Sequence, residues 1–128
     1  MTRRRSVHLL SFSYRRGIPR KANLVFDVRF LPNPHYVNSL RPFSGQDPRV
    51  ARFILKRKET QAFLKLLRPL LHLTLKKYPK ARMSRIRIAF GCTGGRHRSV
   101  TIAEAIVRDL NRRGYAAKVI HRDIDREE

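Results

Sequence analysis

Hydrophobic and polar positions alternate along short segments of the chain, and this pattern predicts β-strands. Residues 23–30 alternate most regularly, with Leu24, Phe26, Val28 and Phe30 facing one side. Residues 7–14 and 85–91 are short, apolar segments that end at a glycine or near one, and residues 116–121 have a similar composition. Four strands are therefore expected.

Three other segments carry apolar residues at helical spacing. Asp47-Pro48 has the sequence of an N-cap followed by proline at the first helical position, which predicts a helix over 48–58. A second helix is expected over 60–77, where Pro69 should kink or split it. Its core stripe is predicted to be Phe63, Leu66, Leu67, Leu70, Leu71 and Leu75. A third helix is expected over 98–113.

The order of these elements predicts an α/β fold. The strand at 85–91, the helix at 98–113 and the strand at 116–121 form a βαβ unit, which should be parallel and right-handed. We find no internal repeat and no Gly/Ser linker, and 128 residues suit one domain. We expect residues 1–128 to form a single three-layer-like sandwich around a mainly parallel sheet.

The charge of the chain is strongly positive. It contains 30 Lys and Arg against 9 Asp and Glu, a net charge of +21, and four of the nine acids lie in the last six residues. Self-repulsion of this size destabilises a small fold, which favours a polyanionic partner such as nucleic acid, or bound anions. Arginine-rich codon usage is the alternative, because 22 of the 30 bases are arginine.

Composition also excludes several classes. The longest apolar runs are too short to cross a bilayer, and no apolar core of a signal peptide follows the basic start, so no membrane partner is expected. The single cysteine, Cys92, excludes a disulfide framework and a cysteine-rich zinc site. A cytoplasmic location, no metal and no cofactor are expected.

The segment GCTGGRHRS, residues 91–99, carries the clearest chemistry. It joins a strand to a helix, where α/β folds bind ligands and where a helix start offers free N–H groups. The expected phosphate-binding residues here are Cys92, Thr93, Gly94, Gly95, His97, Arg98 and Ser99, with Arg96 as a further donor. The alternative is a glycine turn that leads into a capped helix.

The same segment contains Cys92-x5-Arg98-Ser99, the signature of cysteine-dependent phosphatases. In that chemistry a thiolate attacks phosphorus, the arginine holds the phosphate, and a general acid protonates the leaving group. Asp27 or Asp47 could serve as that acid, but no feature of the sequence places either one there. With so many arginines in the chain, the spacing by itself is weak support for a phosphatase.

Two further clusters lie on predicted loops and strand ends. Asp27 and His35, with Arg29 between them and Arg41 following, could bind hydroxyl or amino groups of a ligand. Alternatively, Asp27 pairs with Arg29 and His35 caps backbone groups of its loop. Basic clusters occur at Arg15-Arg16, Arg20-Lys21 and Arg3-Arg4-Arg5, with Phe12 and Tyr14 available to stack on RNA bases. A solvated basic face explains these clusters equally well.

Long motifs connect the chain to a known family. SFSYRRGIPRKANLVFDVRFLPNPHY at residues 11–36, LRP at 40–42 and GCTGGRHRSVTIAE at 91–104 resemble the C-terminal domain of the RapZ/YvcJ family, and the resemblance runs from about Val7 to Arg122. It implies an α/β fold similar to a phosphofructokinase subdomain. The family's N-terminal P-loop domain is expected to be absent, because the chain has no G-x-x-x-x-G-K-[ST] motif.

The resemblance also implies a function. In the family this domain senses glucosamine-6-phosphate, binds small regulatory RNA and self-associates, which implies a homodimer here. The implied sugar-phosphate pocket comprises Asp27, His35, Arg41, Thr93, Gly94 and Arg98. The implied RNA contacts are Arg15 and Arg96, to which the cluster adds Arg16. The family's basic tail is replaced by an acidic end, residues 123–128.

We therefore predict a non-catalytic binding or sensor domain for a phosphorylated small molecule, with RNA on its basic face. The alternatives are a cysteine-dependent phosphatase that uses Cys92 and Arg98, and a nucleotide-binding module.

Overall fold

A computed structural model of the chain describes residues 5–78 and 85–126. Arg3 and Arg4 of the N-terminal basic cluster, and Glu127 and Glu128 of the acidic end, lie outside the described residues.

Four parallel strands form one sheet in the order β2-β3-β1-β4. They are β1 (Ser6–Ser13), β2 (Leu24–Asp27), β3 (Arg85–Cys92) and β4 (Ala116–His121). Each strand falls where the alternation of apolar residues predicted one. The α/β fold with a parallel sheet is thus confirmed.

Strand β2 ends three residues before the alternation predicts. The Asp27 carboxylate accepts the amide N–H of Arg29 at 2.9 Å, and this local turn draws the chain out of the sheet. Val28 still donates its N–H to Gly91 O at 2.9 Å, but Phe30 is 58% exposed. A side-chain hydrogen bond, rather than a break in hydrophobicity, ends this strand.

Three helices accompany the sheet: α1 (Pro48–Leu55), α2 (Lys58–Lys77) and α3 (Arg98–Arg112). Asp47 caps α1 as predicted, because its carboxylate accepts the Arg49 N–H at 2.9 Å. Helix α2 is not split at Pro69.

The predicted core stripe of α2 is partly wrong. Leu66 and Leu70 are 74% and 49% exposed, whereas the buried positions are Thr60, Leu64, Leu67, Leu71 and Leu75. Seven leucines lie on this helix, and one helix face cannot bury them all. Their spacing alone therefore does not show which of them face the core.

The helices pack on one face of the sheet, where strand residues such as Val7, Leu9, Ile86, Ile88 and Phe90 join their leucines and isoleucines in one hydrophobic core. The connection from β1 to β2, which begins with the 3₁₀ turn Tyr14–Arg16, crosses the opposite face. This arrangement keeps the parallel crossovers right-handed.

The carboxyl ends of three strands meet at one edge of the sheet. Ser13 lies beside Cys92 in the register, and Asp27 lies beside Gly91. Ligands of open α/β sheets bind at this edge. Within residues 5–78 and 85–126, no helix has the length and apolar character needed to cross a membrane.

Candidate functional site

The loop between β3 and α3 leaves a row of amide groups unused. Within the described part of the chain, the amide N–H groups of Thr93, Gly94, Gly95 and Arg96 donate no hydrogen bond. The side chain of His97, the N-cap residue of α3, makes no capping hydrogen bond to the first turn. Unpaired amides next to a helix start form a favourable site for an anion.

Two residues of this row, Thr93 and Gly94, line a pocket of about 160 Å³ at the sheet edge. Three separate segments build its walls: the end of β1, the turn after β2 and the β3–α3 loop. The lining residues are Arg15, Asn33, His35, Tyr36, Cys92, Thr93, Gly94, His97 and Arg98. The structure therefore brings together six of the ten residues expected to bind the ligand.

Arg98 is the buried cation of the pocket. It is 5% exposed, and its Nη1 donates to the backbone carbonyls of Arg29 and Leu31, the latter at 3.2 Å. Its Nη2 lies 3.5 Å from Thr93 Oγ1, and its Nε is buried without a hydrogen-bond partner among the described residues. The guanidinium thus connects the turn after β2 to the loop between β3 and α3 and keeps a positive charge at the pocket.

Cys92 and Ser99 form a pair behind the loop. The Cys92 Sγ lies 3.1 Å from Ser99 Oγ and accepts the Ser99 amide N–H at 3.4 Å. Cys92 is 2% exposed and Ser99 is fully buried. Cys92 lines the pocket. Ser99 does not line it, and its connection to the pocket is through its hydrogen bonds with Cys92 Sγ.

Asp27 lies at the strand end but outside the lining residues. Arg29 Nη2 donates to its Oδ2 at 2.6 Å and Arg29 Nε to its Oδ1 at 2.9 Å, and this hydrogen bonding lowers the pKa of Asp27. The Arg29 guanidinium also lies 3.9 Å from the centre of the Tyr14 ring. The Asp27–Arg29 ion pair that the sequence analysis gave as an alternative is therefore present. It favours the charged form of the Asp27 carboxylate.

Arg41 also lies outside the lining residues and shapes the loop that carries His35. Its Nε donates to His35 O at 2.6 Å and its Nη2 to Asn38 Oδ1 at 2.8 Å. The Arg41 carbonyl in turn lies 3.2 Å from His97 Nε2. Arg41 thus connects the two loops that carry the lining histidines.

Gly95 faces the protein rather than the pocket. Its φ is +73°, and a Cβ there would lie 2.8 Å from Ser13 N and 3.0 Å from Asp123 Cβ. Only glycine combines this backbone conformation with so close an approach. Gly95 lets the loop pack on the end of β1.

The residues expected to contact RNA occupy different environments. Arg15 and Arg16 are exposed, and Arg15 also lines the pocket. Arg96 is half-buried, and it donates to Ile124 O at 3.0 Å and to Pro42 O at 3.3 Å. Arg96 therefore joins two loops through its Nε and Nη2.

Asp123 is a structural residue that the sequence analysis missed. It is fully buried, accepts the Ser13 amide N–H at 2.7 Å and pairs with Arg122 at 3.0 Å and Arg126 at 3.1 Å. Ser13 Oγ in turn donates to Thr93 O at 2.6 Å. Asp123 thus holds the end of β1 against the loop between β3 and α3, although in the sequence it is the first of the four acids in residues 123–128.

Asn33, Tyr36 and Gly45 were also missed. Asn33 Oδ1 accepts the His35 N–H at 3.1 Å, and Tyr36 is 81% exposed at the pocket. The proline-bracketed sequence around Asn33 was the available signal, because an asparagine there favours a turn. Gly45 donates its N–H to Arg96 O at 2.7 Å, and nothing in its local sequence predicts that contact.

Within the described ranges, no group of three His, Cys, Asp or Glu side chains is placed to hold a metal ion.

Comparisons with known proteins agree with the motifs. The sequence model of a family described as the RapZ C-terminal domain matches residues 5–125. A nucleotide-binding protein of Geobacter metallireducens is 49% identical over 97% of this chain and 44% of its own length. Nucleotide-binding proteins of Oceanobacillus iheyensis (48% identical, 94% of this chain, 41% of that protein) and Koribacter versatilis (50%, 91% and 38%) are similar. The chain spans less than half the length of these relatives.

Proposed function

Because the chain belongs to the RapZ C-terminal domain family, we propose that it is a regulatory domain that binds a phosphorylated small molecule without transforming it. The unused amides of Thr93 and Gly94, in a pocket that Arg98 also lines, carry this proposal. A phosphate needs several donors at once, and backbone N–H groups with a guanidinium supply them.

The pocket favours a small ligand with a polar body. Its volume of about 160 Å³ is below the several hundred Å³ typical of sites for drug-sized molecules. Asn33 and His35 offer polar groups, and the exposed ring of Tyr36 offers a flat apolar surface. The Asp27 carboxylate lies outside the lining residues and is paired with Arg29, so the choice of an amino sugar rests on the family resemblance. That resemblance implies glucosamine-6-phosphate, which is the proposed ligand.

A nucleotide is the alternative ligand. The curated relatives are called nucleotide-binding proteins, but they are more than twice as long as this chain. The amide row would accept the phosphate of either ligand, so the remainder of the pocket decides between them. Its size favours the smaller molecule.

The surroundings of Cys92 favour binding over hydrolysis. No carboxylate is among the residues that line the pocket, so neither Asp27 nor Asp47 is placed there as the general acid for a leaving group. Arg98 Nη1 donates to the backbone carbonyls of Arg29 and Leu31, whereas in a phosphatase the arginine holds the phosphate that the Cys92 thiolate attacks. The phosphatase alternative therefore has less support than the sensor.

Titration calorimetry of the full chain tests the ligand. We expect glucosamine-6-phosphate to bind more tightly than glucosamine, inorganic phosphate or AMP, because only this ligand uses both the amide row and the polar wall. Arg15→Ala should weaken binding about tenfold through the loss of one charge-assisted hydrogen bond. The exposed residue Arg112, far along α3, provides the matched control Arg112→Ala.

Three outcomes would contradict the proposal: no heat with any phosphate ester, equal affinity for glucosamine, or equal effects of the two arginine variants. Phosphorus NMR of the same samples should show an intact ligand. Conversion to inorganic phosphate that disappears in Cys92→Ser would instead establish the phosphatase.

We also propose that the β1–β2 connection contacts RNA. Residues 14–23 include Arg15, Arg16, Arg20 and Lys21 and no acid, and these four side chains are exposed. Such a segment matches a phosphate backbone, and Tyr14 lies beside it.

Fluorescence anisotropy with a labelled single-stranded RNA checks this. Four phosphate contacts predict that log K falls with log salt at a slope of about −3. The double variant Arg15→Ala/Arg16→Ala should flatten the slope to about half, whereas Arg112→Ala/Arg113→Ala removes equal charge and should not. A slope near zero, or equal effects of both pairs, would refute RNA binding by this segment.

A further inference from the structure

The sheet face opposite the helices is partly uncovered. The β1–β2 connection crosses it, and beside that connection Leu10, Ala89 and Ile120 form an apolar floor. Ile120 is 62% exposed, and Val25 on β2 is 39% exposed. The resulting depression has a volume of about 210 Å³ and shares no lining residue with the phosphate pocket.

Cations surround this apolar floor. Two cations, Lys21 and Arg87, line the depression together with His8, and no carboxylate does. Burial, followed by the charges of Arg85, Arg87 and Lys118, lowers the pKa of His8. The positive groups therefore lie close enough to act on one another. The one acid of strand β2, Asp27, is paired with Arg29 and lies at the carboxyl end of its strand.

We propose that this face docks an acidic segment of a partner protein. One apolar side chain of the segment fills the depression, while its carboxylates pair with Arg87, Lys21 and Lys118. Charge complementarity carries the choice of partner, because an apolar floor beside Lys21 and Arg87, with no carboxylate among the lining residues, disfavours basic segments.

Other occupants fit less well. A second copy of this chain would bring another +21 charge to the same cationic rim, which repels it. A volume of about 210 Å³ is smaller than typical small-molecule sites, but it suits one or two buried side chains. A lipid acyl chain would need a longer groove.

Anisotropy of a labelled peptide of alternating Glu and Leu, added to the full chain, tests the proposal. We expect saturable binding that weakens about tenfold when the leucines are replaced by serine, because a buried leucine side chain contributes about that factor. Ile120→Asp should weaken binding similarly, and Arg87→Gln/Lys118→Gln should weaken it at least fivefold.

Matched controls lie on the helical side of the molecule. Leu66→Asp changes an apolar residue of α2 that is 74% exposed, and Lys76→Gln/Arg112→Gln removes the same charge as the test pair. Neither variant should affect binding of the peptide. Amide shifts in NMR spectra should map to Leu10, Ala89 and Ile120. Circular dichroism of each variant shows that the fold is retained.

Several outcomes would overturn the proposal. They are equal binding of the serine peptide, an unchanged affinity in Ile120→Asp, shifts confined to the phosphate pocket, or binding only to vesicles of phosphatidylglycerol. The last outcome would assign the face to an anionic membrane surface. Because the peptide is not a phosphate ester, failure here leaves the proposed ligand pocket unaffected.

Discussion

Replacing Arg98 by alanine is expected to weaken the binding of glucosamine-6-phosphate about 100-fold. The substitution removes the buried positive charge beside the amide row, and a charge-assisted hydrogen bond contributes about 1.5–3 kcal/mol. It also releases the turn after β2, because the carbonyls of Arg29 and Leu31 lose their donor. Calorimetry measures the first effect and urea unfolding the second.

Two further variants separate binding from stability. Arg5 is also a buried arginine, 7% exposed, and it donates to Leu75 O and Tyr78 O far from the pocket. Arg5→Ala should therefore cost similar stability, about 2–4 kcal/mol, with an unchanged affinity for the ligand. Arg98→Lys keeps the charge but not the two-carbonyl contact, and its affinity should lie between those of wild type and Arg98→Ala. If Arg98→Ala binds the ligand as wild type does, Arg98 is a structural residue only.

Gly45→Ala should destabilise the fold by about 3 kcal/mol and weaken ligand binding at least tenfold. A Cβ at this position would lie 2.4 Å from His97 O and 2.9 Å from Thr101 N, which are backbone atoms of the α3 start. Gly45 also holds this start through two hydrogen bonds, to Arg96 O at 2.7 Å and from Thr101 Oγ1 at 3.0 Å. Backbone cannot rotate away from the methyl group, so the loop or the helix must shift.

Gly114→Ala is the matched control for this effect. Gly114 has a φ of +94° but open space around its Cβ position, so alanine should cost about 1–2 kcal/mol through backbone strain alone. That variant should bind the ligand as wild type does once it is folded. Thermal unfolding and calorimetry of both variants provide the comparison. Equal stability of Gly45→Ala and wild type would contradict this prediction, because it would show that the start of α3 can shift away from the added methyl group with little loss of free energy.

The sequence was informative wherever a local pattern determines the structure. Alternation located the strands. Asp47-Pro48 located the start of α1, because the Asp47 side chain accepts a hydrogen bond from the first turn of the helix that directly follows it. Leu66 and Leu70 show the limit of such patterns. Their periodicity is as helical as that of Leu67 and Leu71, and only tertiary packing decides which leucines are buried.

The site divides in the same way. The part of the pocket formed by the glycine-rich segment between β3 and α3 could be predicted, because the strand, the tight loop and the helix start follow one another in the sequence. Arg15 and Tyr36 lie on other loops, and their approach depends on how the sheet orders its strands. Asp123 was missed for a related reason, since burial of the segment after β4 is set by contacts with β1.

The pocket walls come from chain segments that meet only in the folded sheet. Binding of the ligand therefore affects the stability of the whole domain and not only the contacts in the pocket. An unfolded chain has no such walls, and a ligand that binds only the native state stabilises the whole domain by mass action. At a hundred times its dissociation constant the ligand would add about 2.7 kcal/mol, a large fraction of the stability of a small domain. The concentration of the metabolite in the cell would then govern how long each copy of the protein survives proteolysis.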